Sequence, residues 1–193
     1  ITIYHGDCRE IAPRIPVVDV MLTDPPYGIF ECGGKWGKRH LLHWDRATIP
    51  DLNALRMLAR EQIIWGGNYY PLPVSRGWLI WYKRDSTPST ADVEMAWTSY
   101  DMNSRLIDHS IGATNAERLG HPTQKPLAVM LWCLGFTSHN ASTILDPFMG
   151  AGTTLRAAKD LGRKAIGIEI EEKYCEMAAK RMDQEVLDFE VPA

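Results

Sequence analysis

The sequence predicts an α/β fold, a mostly parallel sheet with helices on both faces. Three features point to it. Short β-branched or aromatic runs alternate with helical patterns, a glycine-rich turn at residues 146–152 sits between a strand and a helix, and another apolar run ends on Asp24-Pro25-Pro26-Tyr27. Such alternation gives parallel strands covered on both sides, with ligand crevices at their carboxyl ends.

Residues 1–4 form a short strand candidate that stops at Gly6-Asp7, and residues 17–22 a second that stops at Thr23-Asp24. Pro13 and Pro16 limit the stretch between them to a short helix. Leu52, Leu55, Met57, Leu58 and Ala59 fall approximately on one helical face, which predicts a helix over 51–61. The strand Ile63-Ile64-Trp65 follows and ends at Gly66-Gly67-Asn68. Residues 77–82, 93–97 and 105–107 are three further strand candidates, while 83–120 shows no strong helical period. Pro126 opens a helix over 126–136, with Leu127, Met130, Leu131 and Leu134 at helical spacing. The last third reads as strand 143–145, turn 146–152, helix 153–161 closed by Gly162, strand 164–168 and helix 171–182. No repeat, low-complexity tract or linker interrupts the 193 residues, so 1–193 is expected to be one domain.

Composition excludes several classes. With 45% hydrophobic and 23% charged residues the chain is of ordinary globular type. No apolar run approaches the ~18 residues of a membrane span, and no basic-then-apolar leader opens the chain, so neither a membrane protein nor an exported one is expected. The absence of an initiator Met before Ile1 implies that leading residues are missing. Cys8, Cys32, Cys133 and Cys175 form no CxxC pair and read as reduced thiols, which places the protein in the cytoplasm. A net charge of −3 argues against holding nucleic acid by bulk electrostatics. Residues 165–193 nevertheless hold eight acidic and three basic side chains, net −5, which leaves +2 on the rest. Within that remainder, residues 31–46 carry Lys35, Lys38, Arg39 and Arg46 against Glu31 and Asp45, a local basic loop or simply a solvated one.

Asp146-Pro-Phe-Met-Gly150-Ala-Gly152-Thr-Thr occupies the place of a nucleotide-cofactor loop, and Glu169, closing the next strand, can accept hydrogen bonds from two ribose hydroxyls. Leu155 stands where the third Rossmann glycine would fall, and no Lys follows Gly152 as in a P-loop. A ribose acid without a phosphate signature fits a nucleoside cofactor lacking a pyrophosphate, of which S-adenosylmethionine (AdoMet) is the common one. A dinucleotide and a plain glycine-rich turn are the alternatives.

In Asp24-Pro25-Pro26-Tyr27 two prolines remove N–H donors and stiffen the backbone, leaving the Asp24 and Pro25 carbonyls as fixed acceptors. A carboxylate and an aromatic face beside them suit a planar group bearing an amino substituent, although a proline-rich turn with a solvated Asp reads equally from the tetrapeptide alone. His121-Pro-Thr123-Gln124-Lys125-Pro126 precedes a helix, where free N–H groups and Lys125 favour an anion such as a carboxylate, or where Thr and Lys merely cap.

These three motifs, in this order, resemble the DNA amino-methyltransferases that methylate the exocyclic nitrogen of adenine or cytosine, and within them the circularly permuted β group, in which the catalytic motif precedes the AdoMet loop. The resemblance covers about residues 1–184 and implies a Rossmann-like class I AdoMet-dependent methyltransferase. It implies that Asp24 and the Pro25 carbonyl, held by Pro26, accept the two amino hydrogens of a flipped base on which Tyr27 stacks. It places Asp146, Pro147, Phe148, Gly150, Gly152 and Thr153 at the cofactor loop, Glu169 and Ile170 at the ribose, and Asp7 near the adenine. His121, Thr123, Gln124 and Lys125 face the methionine end, with Lys125 on its carboxylate. Asp24 belongs to this set too, as does Cys8, otherwise a core thiol; Asp7 reads equally as a turn-former.

The partner implied is double-stranded DNA, contacted by Lys35, Lys38, Arg39, Arg46, Lys83, Arg84, Arg105 and Arg118, with Trp36 and Trp44 as candidates for wedging or anchoring. Target recognition is expected at about 83–120, a short segment that implies a short or loosely read site, with a homodimer as a further means of holding DNA. Asp at the first motif position leans to adenine-N6 over cytosine-N4. RNA as substrate, and a non-catalytic DNA-binding partner subunit on the same fold, are the other readings. No Pro-Cys pair exists for attack at cytosine carbon five, and Cys32, His40 and His43 lack a fourth metal ligand.

Overall fold

A computed structural model describes residues 1–27, 52–87, 91–116 and 124–183. Among the described residues eight strands form one sheet: β1 (Thr2–His5), β2 (Val18–Thr23), β3 (Ala59–Trp65), β4 (Trp78–Tyr82), β5 (Val93–Thr98), β6 (Arg105–Asp108), β7 (Thr143–Asp146) and β8 (Lys164–Glu169). Their spatial order is β1-β8-β7-β2-β3-β5-β4-β6. Only β5 runs against the others, pairing antiparallel with β3 and β4. The expected mostly parallel sheet is therefore present.

Period-two alternation splits the sheet's side chains between two cores. Leu22, Ile63, Leu79 and Ile144 face one core with α4 (Leu127–Leu134), α5 (Thr153–Asp160) and α6 (Glu172–Asp183). Met21, Ile64, Trp97 and Leu145 face the other with α1 (Cys8–Ile11) and α2 (Leu52–Arg56). Each residue of the first set is 0% exposed, which is why the strands read as continuous apolar runs.

Two expectations are corrected. The helix expected over 51–61 is only Leu52–Arg56, because Ala59 and Glu61 pair with Val18 and Val20 of β2. Ladder pairing and burial override the helical spacing there, and Met57 is left 79% exposed. The segment without helical period contains α3 (Ile111–Ala116). That helix is nucleated at its start: Asp85 accepts the Ile111 and Gly112 N–H groups and Ser110 Oγ accepts that of Ala113.

The chain runs outward from β2 through β3 and returns through α4 to β7, on the other side of β2. Strand order reverses at this β2/β7 junction, so a crevice opens beyond their carboxyl ends. Both chemistry-bearing loops begin there.

Candidate active site

The Asp24 loop leaves β2 and the 146–152 turn leaves β7, and one hydrogen bond ties them: Thr23 Oγ1 donates to Asp146 Oδ1 at 2.7 Å. The Phe148 N–H donates to the same oxygen at 3.1 Å. Asp146 is 2% exposed, and burial pushes its carboxyl up to about 6 against the donors Thr154, Thr23 and Phe148. It shapes the loop from within.

Gly150 and Gly152 adopt φ of +50° and +77°, the left-handed region that favours glycine. The turn's N–H groups are spent internally: Met149 donates to the Ile168 carbonyl, Gly152 to the Met149 carbonyl, and Gly150 to Glu169 Oε2. A loop so satisfied is no phosphate cradle, in keeping with a cofactor that lacks a pyrophosphate. Glu169 also accepts the Glu171 N–H on Oε1 at 2.9 Å, so both oxygens are fixed and each keeps a lone pair for a ribose hydroxyl. Burial raises its carboxyl above the ordinary value, against the N–H groups of Glu171 and Gly150. These residues fit a nucleoside.

Beside Glu169, the Gly6 N–H donates to its carbonyl and carries Asp7 to the same sheet end. Asp7 caps α1, and Arg9 holds it through backbone and guanidinium, which lowers its carboxyl. Cys8 is buried, and burial pushes its thiol up to about 11. Pro147 is buried, Phe148 half-buried, and Thr153 accepts a hydrogen bond from Arg181 at 2.6 Å. Ile170 is 57% exposed, an apolar surface next to Glu169.

Asp24 is held by two donors: Tyr27 OH reaches Oδ1 at 2.6 Å and Lys125 Nζ lies 2.5 Å from Oδ2. Lys125 also meets Glu94 Oε2 at 3.0 Å, while Glu94 Oε1 takes the Lys83 ammonium. Burial opposes the charges of Glu94 and Lys125. The lysines nonetheless bring Glu94 down to about 2, and Asp24 and Glu94 hold the Lys125 ammonium well above its ordinary value. Burial, then the Asp24 charge, pushes the Tyr27 phenol up.

The turn after β3 supports the Asp24 loop from the other side. A Cβ at Gly66 would lie 2.1 Å from the Tyr27 ring, Tyr69 stacks on Tyr27 with centroids 5.1 Å apart, and Tyr70 OH donates to the Pro26 carbonyl.

Sequence reading places Lys125 on a cofactor carboxylate and Lys83 on DNA; the structure places both in the buried charge row. Gln124 is buried next to Lys125. Arg84 is an exposed partner of Asp108, and Arg105 lies on the exposed edge strand β6. Lys35, Lys38, Arg39, Arg46, Arg118, His121 and Thr123 lie outside the described residues, as do Trp36, Trp44, Cys32, His40 and His43. Glu94, Gly66, Tyr69 and Tyr70 escape sequence reading. The one signal for Glu94 is a carboxylate within the apolar strand Val-Glu-Met-Ala-Trp. Among the described residues no cluster of three His, Cys, Asp or Glu could hold a metal, and no helix is long and apolar enough to cross a membrane.

Fold and paired loops are those of a Rossmann-like methyltransferase. The crystal structure of the M1.HpyAVI–SAM complex superposes with a TM-score of 0.67 at 26% identity, over 95% of this chain and 99% of that one. The cytosine-N4-specific PvuII DNA methyltransferase shares the fold, with a TM-score of 0.65 at 14% identity over 96% and 87%. The Type II methyltransferase M.ScaI of Streptomyces caespitosus is 24% identical over 96% of this chain and 82% of its own. M.HpaI of Haemophilus parainfluenzae is 42% identical, but over 39% of this chain and 24% of its own length. A family model described as DNA methylase matches residues 65–180. The chain belongs to that family, the N6/N4 DNA amino-methyltransferases, whose methyl donor is AdoMet.

Proposed function

We propose that this chain methylates the exocyclic N6 amino group of adenine in double-stranded DNA. One observation carries the reading: the Asp24 loop and the 146–152 turn leave the carboxyl ends of one sheet tied by the Thr23–Asp146 hydrogen bond, and the Gly150 N–H of that turn holds the Glu169 carboxylate at the end of β8. Such an arrangement can hold an amine and a nucleoside cofactor side by side.

Glu169, the turn at Gly150 and Gly152, and the exposed face of Ile170 would hold AdoMet. When bound there, AdoMet supplies an electrophilic methyl carbon on a sulfonium, a good leaving group. The protein's own task is then orientation. Asp24 and the Pro25 carbonyl accept the two amino hydrogens of a base flipped from the duplex, which turns the nitrogen lone pair out of the ring. Tyr27 and Tyr69 offer the aromatic surface. Positioning and fixed charges do most of the work, and Asp24 needs no unusual basicity because the nitrogen becomes acidic only as it is alkylated.

Asp at the first motif position favours adenine over cytosine. Its order, catalytic motif before cofactor loop, supports the permuted β arrangement. DNA contact falls to the basic residues of 35–46 with Arg84, Arg105 and Arg118, and target reading to 83–120. Type II relatives support a place in restriction-modification, in the cytoplasm.

The test is mass spectrometry of nucleosides after incubation with AdoMet and unmethylated DNA. N6-methyladenine is expected. N4-methylcytosine would keep the mechanism and overturn the base assignment; no methylated base, with AdoMet binding intact, would overturn the reading.

A further inference from the structure

The role of Glu94 is set by a difficulty at Asp24. Both carboxylate oxygens are occupied, Oδ1 by Tyr27 OH and Oδ2 by the Lys125 ammonium. A neutral substrate amine is a far weaker partner for a half-buried carboxylate than an ammonium is. For the amine to take Oδ2, the ammonium needs somewhere else to remain charged, since an unpaired buried charge is costly.

Among the described residues there is one such place. Lys125 is 7% exposed and is faced by Asp24 and Tyr27 from the end of β2, Trp65 from β3, Glu94 from β5 and Cys133 from α4. Of these, Asp24 and Glu94 alone are carboxylates, and Glu94 Oε2 is 3.0 Å from Lys125 Nζ. Behind Glu94 the Lys83 ammonium closes the row, so charges alternate from Asp24 through Lys125 and Glu94 to Lys83 and cancel. The ammonium can shift its weight from Asp24 to Glu94 without leaving the row, because its three donors already engage both acids and Tyr27 OH.

We propose that Glu94 is a positioning residue for methyl transfer: it retains the Lys125 ammonium while Asp24 yields an oxygen to the substrate amine. The proposal rests on the methyltransferase reading above. In Glu94→Gln the row keeps its shape but loses one charge. Lys83 then loses its carboxylate partner, and Lys125 is left with Asp24 alone, which it clamps.

Two signatures follow. Glu94→Gln lowers kcat/KM for DNA by about tenfold or more and leaves AdoMet affinity within about twofold. Loss of Glu94 also removes one of the two anions that hold the Lys125 proton, which loosens the clamp toward high pH, so the variant's deficit narrows as pH rises while the wild type shows no such change. A side chain that merely supports the fold would give a loss independent of pH.

The experiment is methyl transfer from labelled AdoMet to unmethylated duplex DNA across about pH 7 to 9.5, with AdoMet binding by calorimetry. Should Glu94→Gln not fold, Glu94→Asp, which keeps the charge at shorter reach, is expected to show a weaker form of the same recovery. Wild-type rates, or a loss that does not vary with pH, overturn the proposal alone. A wild-type chain that transfers no methyl to DNA overturns the functional reading and the proposal with it.

Discussion

Thr23 Oγ1 donates to Asp146 Oδ1 at 2.7 Å, and this buried bond joins the Asp24 loop to the 146–152 turn. The ionised carboxylate is the form that needs it. Thr23→Val removes the donor at nearly constant volume and should cost about 1–3 kcal/mol. Because burial raises Asp146 to about 6, the folded protein holds this proton more tightly than the unfolded chain, and Asp146's contribution declines as pH rises through that value. Loss of Thr23 raises it further. Thermal unfolding should therefore show a larger gap between variant and wild type at about pH 8 than at about pH 5. Equal gaps would mean that Thr23 supports packing and not the charge.

Asp24→Ala separates chemistry from cofactor binding. On the proposed mechanism it removes the acceptor of the amine and leaves Glu169 and the 146–152 turn untouched, so transfer should fall by roughly 10²-fold or more with AdoMet affinity retained. Lys125 keeps Glu94 as partner, which lets the variant fold. Wild-type turnover in Asp24→Ala, measured with the same DNA, would remove the orientation mechanism.

Lys83 and Arg84 are neighbours in sequence with opposite fates. Arg84 is exposed beside Asp108, whereas Lys83 is buried against Glu94 beneath Trp81. Arg84→Ala should weaken DNA binding and reduce its salt dependence by about one phosphate contact. Lys83→Met should leave the salt dependence unchanged and lower turnover, through Glu94. Binding isotherms at several salt concentrations distinguish the two, and a reduced slope in Lys83→Met would return that residue to the DNA surface.

Local signals made the 146–152 turn legible. Glycines at positive φ, a strand before them and a helix after are features of adjacent residues, and the segment from β7 through α5 to β8 follows them closely. The charge row is the opposite case: Lys125 and Asp24 are 101 positions apart, and only the reversal of strand order at β2 and β7 brings them together. Glu94 depends further on β5 running against its neighbours, which no pattern within Val93–Thr98 announces. The same competition shortened α2, since Ala59 fits a helical face and a strand equally until β2 offers it a partner.

Two glycines with almost the same backbone offer a controlled comparison of conformation against contact. Gly66 and Gly162 have φ of +66° and +67°. A Cβ at Gly162 meets nothing within 4 Å, whereas one at Gly66 falls 2.1 Å from the Tyr27 ring. Gly162→Ala therefore bears only the left-handed penalty, about 1–2 kcal/mol of stability, and should methylate DNA at the wild-type rate when folded. Gly66→Ala bears that penalty and also displaces Tyr27, whose hydroxyl is bonded to Asp24. Its turnover should drop by about tenfold or more at temperatures where both variants are folded. If the two variants lost stability alike and both kept full turnover, the close seat of Tyr27 on Gly66 would have no part in catalysis.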